Sequence, residues 1–312
     1  MEIVGLVVLF FLAVILLCNG IYIRTPLYRN RVRTIEKFQR GVPENLDIMN
    51  TGSNHAYYSI DWSLVGVNGF SLASGPQSIS WDYRLVSKYR SHIRDGKILL
   101  IVLSNLVFGF LEYPQDSANF RYYYFLENEE IPNSTTWKRI KYRVLPILEN
   151  WRNFVHCFYR RGKLFRENEP SLAYAEKTSD ERIEGWKEQF NLRDLQHRES
   201  LAHLQDNIQE ASLLLKKMID ETKSSGIVPV LMLPPLSGVI NKKISDEFID
   251  EVILKPVAKV ASDVPFLNYM RDKRFQDYRY YFNGDFMNQL GREKFMPVLW
   301  QDIQKVLGER HT

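Results

Sequence analysis

Cysteine is nearly missing from this chain, with two in 312 residues, and that scarcity excludes a disulfide framework as the source of its stability. Cys18 stands inside a long apolar run and Cys157 in the polar body, so the two have no reason to pair. The six histidines are scattered. No compact Cys/His spacing marks a metal centre, and no cofactor is expected. No stretch rich in Gly, Pro or Ser divides the chain after residue 40, which favours one domain there over two. Nor is there a large excess of charge: the formal net charge is +4 and the pI about 8.8. Much of that excess sits just behind the apolar run, the remainder is nearly balanced, and no nucleic-acid surface is expected.

What is present begins with that run. Ile3 to Cys18 is apolar and continues past Asn19 and Gly20 into Ile21, Tyr22 and Ile23. About twenty residues cover roughly 30 Å of hydrocarbon as a helix. A secretory leader carries a basic start and a small-residue cleavage site. Here Met1-Glu2 leads straight in and Tyr22-Ile23-Arg24 leads out, which reads as an uncleaved anchor over residues 1–23, contacting membrane lipid through residues 3–23. Arg24, Arg29, Arg31, Arg33, Lys37 and Arg40 follow it in a basic juxtamembrane segment, residues 24–44. By the positive-inside rule they favour a cytoplasmic body.

From residue 45 the pattern alternates. Leu46-Asp47-Ile48-Met49 reads as a strand, Asn50-Thr51-Gly52-Ser53-Asn54 as a turn, and His55-Ala56-Tyr57-Tyr58 as a helix start. A strand entering a polar glycine turn and then a helix leaves backbone N–H groups facing outward, as open α/β sheets do at their sites. Val65–Phe70 reads as a strand, Ala73–Ser78 as a loop, and Trp81–Ile93 as a helix. Arg94-Asp95-Gly96 reads as a turn, and Ile98–Leu103 has the length and branching of a fully buried strand. Residues 110–180 break the rhythm with Arg121-Tyr122-Tyr123-Tyr124, Trp137, Trp151 and Arg160-Arg161, and are expected to be a largely helical insertion. Glu181–Lys223 is expected to be helical, Ile227–Leu233 a strand with Pro229 near its start, Phe248–Val260 a helix bent at Pro256, Val264–Asn268 a strand and Asn288–Leu307 a helix. Such a succession predicts a mostly parallel sheet with helices on both faces.

The order of five blocks carries a resemblance: Asn50–His55, then Gln77-Ser78-Ile79-Ser80-Trp81-Asp82-Tyr83, then Leu99–Ser104, then Val228–Pro235, then Phe282–Gly291. It resembles the SGNH/GDSL hydrolase superfamily and, within it, the membrane-anchored DltD-like or AlgJ-like proteins of envelope polysaccharide and teichoic-acid modification. The resemblance implies a three-layer α/β/α, flavodoxin-like domain over residues 45–312, with an insertion about 110–223. It also implies handling of small acyl esters on glycans on the extracytoplasmic side, against the charge rule. Implied partners are a cell-envelope glycan and a membrane-bound acyltransferase or polysaccharide export protein.

Laid onto that family's pattern, Gly52 matches the glycine before the nucleophile, Asn54 the nucleophilic serine, Asn283 the aspartate and Phe286 the histidine. Met287-Asn288 and Gly291 keep the rest of the last block. Acyl transfer by serine needs a base to take its proton and a carboxylate to orient that base. An amide, a phenyl ring and a second amide supply none of these. A second register stays open: Ser53 offers a hydroxyl, His55 an imidazole and Asp285 a carboxylate. Ser53 and Asp285 read equally well as turn or cap residues, and His55 as a helix-start residue. Gly52, Asn68, Gly75 and Gln77 resemble the region that shapes an oxyanion or ligand pocket. Three functions follow: a catalytically degenerate SGNH-like protein assisting acylation, binding or export of envelope polysaccharide; an active O-acyltransferase or esterase using Ser53; and a membrane-anchored structural scaffold.

Overall fold

The computed structural model describes residues 2–112, 116–149, 151–152, 154–155 and 171–308. Cys157 and Arg160-Arg161, singled out in the sequence, lie outside the described residues. The elements used below are helices α1 (Glu2–Tyr22) and α2 (Pro26–Val32), strand β1 (Leu46–Asn50), α3 (Asn54–Ser59), β2 (Gly69–Ser71), α4 (Ile79–Tyr89) and β3 (Ile93–Val102), followed by α5 (Leu172–Phe190), α6 (Gln205–Ser224), β4 (Val228–Leu233), α7 (Lys255–Ala261), β5 (Phe266–Asn268) and α8 (Gln289–Gly308). Two compact units contain them, one formed by residues 1–41 and 113–167 and the other by residues 42–112 and 168–312.

The second unit is built on five parallel strands in the order β2-β1-β3-β4-β5. Along β1, β3 and β4, successive side chains point to opposite faces, and both sets are buried. Ile48, Ile98, Leu100, Val102, Val230 and Met232 join one core with Ala56 of α3 and Phe295, Leu299 and Ile303 of α8. The α8 positions recur four apart, so one stripe of the helix meets the sheet. Each such side chain adds about 2 kcal/mol by leaving water. Met49, Leu99, Ile101, Leu231 and Leu233 alternate with the first set and are equally buried. Helix α6 packs on β4 and against α4 and α7, which covers the second face. The chain is therefore an α/β protein with a parallel sheet flanked by helices and an apolar helix at its N-terminus.

Several boundaries differ from the sequence expectation, each for a local reason. Arg94-Asp95-Gly96 is no turn but part of β3. The β1–β3 register shifts there, and Gly96 (φ 71°) bonds the Gly226 carbonyl at 2.9 Å. Helix α4 stops at Tyr89, four residues early, because β3 already begins at Ile93. Val65–Phe70 gives only the short β2, since a 3₁₀ turn over Trp62–Val65 ends at left-handed Gly66. The helix expected over 181–223 is two helices. Asn191 (φ 51°) closes α5, with its own N–H and that of Leu192 satisfying Glu188 and Lys187 carbonyls. Pro229 pairs with β3 beyond the reach of β5, where its missing N–H leaves no partner wanting.

In the first unit, Ile3–Tyr22 of α1 has a mean hydropathy of 2.8 and is long and apolar enough to cross a membrane. Beyond it, Thr25 caps α2, and Tyr22, Tyr28 and Ile147 form a small core. Residues 116–149, expected to be largely helical, fold as a succession of 3₁₀, α and π turns.

Candidate functional site

A flavodoxin-like strand order places the natural crevice beyond the carboxyl ends of β1 and β3, where the order reverses. The turn leaving β1 lies there. Gly52 takes φ 119°, and a Cβ on it would stand 2.6 Å from that of Ala56 and 3.0 Å from that of Val102. Its N–H donates to Asp82 Oδ1 at 2.8 Å. Gln77 Nε2 donates to the same oxygen at 2.7 Å and to the Leu72 carbonyl. Asp82 is buried, and burial pushes its carboxyl up to about 7 although both hydrogen bonds pull the other way. Ser53 occupies the N-cap position of α3 without capping it; its Oγ instead accepts the Gln77 N–H at 3.0 Å. Asn54 lies hard against Gly75, where an added Cβ would fall 1.5 Å from its Oδ1. The first two sequence blocks thus form one hydrogen-bonded body.

Opposite them stands the loop before α8. Asn283 Oδ1 accepts the N–H groups of Asp285 and Phe286 at 3.1 and 2.8 Å, so an amide folds the turn that a carboxylate would fold equally well. Gly284 is pinned by Thr178 Oγ1, which accepts its N–H, and by Ser237 Oγ, which donates to its carbonyl. Asn288 caps α8 through the Gly291 N–H, and a Cβ on Gly291 would come 2.2 Å from the Tyr280 carbonyl. Asn283, Asn288 and Gly291 thus serve to hold backbone.

Between turn and loop, Asp285 Oδ2 lies 3.8 Å from His55 Nε2 and 2.7 Å from Arg182 Nε of α5. Arg182 thus holds Asp285 as an ion pair, and His55 Nε2 has no hydrogen-bond partner among the described residues. Burial, with Arg182 adding repulsion, drives the His55 imidazole down to about 3. Burial raises Asp285 to about 6, partly offset by Arg182. Phe286 fills the space left: it stacks on Tyr58 at 5.1 Å, meets His55 edge-on at 5.2 Å, and carries the Arg182 guanidinium 4.8 Å above its ring. Replacing Arg182 by glutamine leaves Asp285 without its cation. The variant is expected to lose about 2 kcal/mol of stability, less than for a fully buried pair because Arg182 is one-third exposed. Without the cation the Asp285 carboxyl rises further, so in urea titrations the loss should grow as pH rises through 6. A loss that does not depend on pH would show that Arg182 serves packing alone.

The structure thus gathers Ser53, Asn54 and Gly75 on one side and His55, Asp285 and Phe286 on the other. Asn68 is not with them: it precedes β2 at the opposite end of the sheet and donates to the Asn45 carbonyl. Gly52 and Gln77 are present, but the Gly52 N–H is spent on Asp82 and the Gln77 donors on Asp82, the Leu72 carbonyl and Ser53 rather than left for a ligand. The sequence reading missed Arg182, which arrives from α5 with no local signal, and gave no role to Asp82, a buried carboxylate of α4 that stands within the second block. It also missed Asn105, a buried amide just past β3 whose nitrogen and oxygen both lack a partner among the described residues. Among the described residues no three His, Cys, Asp or Glu side chains gather to hold a metal.

No protein-family model and no curated protein matches the chain significantly. Among solved structures it is similar to a Bacteroides fragilis protein named as a presumed acylhydrolase, with 10% identity, 88% of this chain and 96% of that one covered, and a TM-score of 0.40. A likeness this distant says nothing about chemistry.

Proposed function

We propose that this chain is a membrane-anchored, catalytically degenerate SGNH-like protein that binds a cell-envelope glycan during its acylation or export, with its body on the extracytoplasmic side. The observation that carries this reading is Phe286. Where the resemblance expects a catalytic base, a phenyl ring is packed against Tyr58 and His55 and accepts no proton. Asn54, at the position of the nucleophile, has no acyl-accepting hydroxyl. Binding is supported by buried polar atoms without a hydrogen-bond partner among the described residues, both Asn105 amide atoms and His55 Nε2. Buried groups in this state ordinarily meet a water or a ligand.

One observation favours the second reading, an esterase using Ser53: the 3.8 Å approach of His55 to Asp285. Against it, an imidazole held near 3 is a feeble base, and Arg182 competes for the carboxylate that would orient it. Full-length protein in detergent, assayed on acetylated model esters beside Ser53→Ala, is expected to turn over neither above the blank. Turnover by the wild type that drops about 100-fold or more on losing Ser53 would establish the esterase instead.

A further inference from the structure

Outside α1, the large apolar side chains that stay exposed among the described residues of the first unit are Ile23, Leu27, Trp137, Val144, Trp151 and Val155. The much larger sheet unit leaves four exposed among its described residues, Leu64, Leu172, Leu213 and Leu290. The first set does not lie at random. Asn19, one turn before the end of α1, donates its amide to the Val144 carbonyl at 3.2 Å and accepts the Ile147 N–H at 3.3 Å. Ile15 and Cys18 of α1 pack with Leu148 and Phe154 around Tyr22, Tyr28 and Ile147. From Ile15 to Tyr22 a helix advances roughly 10 Å. A segment touching both Ile15 and Tyr22 therefore lies level with the last third of α1.

If α1 spans roughly 30 Å of hydrocarbon, its last third lies in the outermost 10 Å or so of one leaflet, among the acyl carbons next to the headgroups. Val144, whose carbonyl accepts from Asn19, is 58% exposed there, and Trp137 and Trp151, in the helical turns before and after it, are 60% and 63% exposed, with Arg143 and Arg152 exposed beside Val144 and Trp151. Indole rings next to basic side chains suit this layer, since the ring takes the apolar side and the cation the phosphates.

We propose that Trp137, Val144 and Trp151 make a second membrane contact, seated in the interfacial layer of the bilayer that α1 crosses. The occupant is lipid, because the surface is continuous with the anchor itself. The proposal rests on α1 spanning the membrane and not on any reading of the Ser53 region.

Tryptophan fluorescence tests it without a contribution from the anchor, because α1 contains no tryptophan. The full chain is reconstituted into phosphatidylcholine vesicles containing phosphatidylglycerol, with or without bromine at shallow acyl carbons, and insertion is checked by flotation. The wild type is expected to be quenched by bromolipid. The Trp137→Phe/Trp151→Phe variant, altered only at exposed positions, should lose most of that quenching, whereas Trp300→Phe should keep it. Quenching unchanged in the double variant, or none in floated wild type, would overturn the proposal; the latter outcome would point to a protein partner covering the surface.

Discussion

Alanine at Gly52 is expected to lower the melting temperature by roughly 10 °C or more, if the variant folds at all. Two costs combine. A side chain at φ 119° adopts a conformation that L-residues avoid, at about 1–3 kcal/mol. Its methyl group would also stand 2.6 Å from the Ala56 Cβ and 3.2 Å from the Val102 carbonyl. Neither neighbour is the end of a flexible chain, so crowding adds about 1–3 kcal/mol. In a domain of this size each kcal/mol moves the melting temperature by about 2–4 °C. Gly66→Ala is the control, because Gly66 also has positive φ (65°) but nothing within 4 Å of its added Cβ. It should cost only a few degrees in the same circular-dichroism melts. Equal shifts for the two would mean that the turn after β1 has room to spare.

Asp82→Asn should stabilise the protein at pH 8 and leave it nearly unchanged near pH 4. The ordinary aspartate value is 3.8, while burial holds Asp82 near 7. Between those values the folded state keeps a proton that the unfolded state has released, so wild-type stability falls as pH rises from about 4 to 7 and then levels off. Asparagine has no such titration, and its Oδ1 can still accept the Gly52 and Gln77 N–H groups. The advantage at pH 8 is on the order of 4 kcal/mol at most. Other groups titrate in the same range. Asp285, raised to about 6, acts in the same direction, whereas His55, lowered to about 3, costs stability as pH falls below its ordinary 6.5. The difference between variant and wild type cancels both. Denaturant titrations at pH 4.5 and pH 8 measure it. A variant weaker than wild type at pH 8 would show that the Asp82 charge itself holds the turn.

The strands were legible because they are short apolar runs bounded by turn residues. Ile98–Leu103 and Ile227–Leu233 needed no tertiary information to be recognised as buried. The helix over 181–223 was not legible as two, because Asn191 is an ordinary polar residue until a left-handed φ makes it a cap. Asn283 shows the same limit on function. Read by position it replaces an acid, yet in place it folds a turn with its side-chain oxygen. Phe286 reads as a lost base, and only packing reveals the aromatic cluster that it completes with Tyr58 and His55.

By itself, the sequence determined the apolar span of α1, the alternation that makes a parallel α/β sheet, and which residue types stand at the turns where such sheets work. Those properties follow from local periodicity and from the chemistry of single side chains. Only the tertiary structure decided that Arg182, from a helix about a hundred residues before the last block, pairs with Asp285, that Gly52 and Gln77 both donate to Asp82, and that Asn68 lies at the far end of the sheet. Charge pairing and burial depend on which distant segments meet, and one-dimensional spacing does not contain that information.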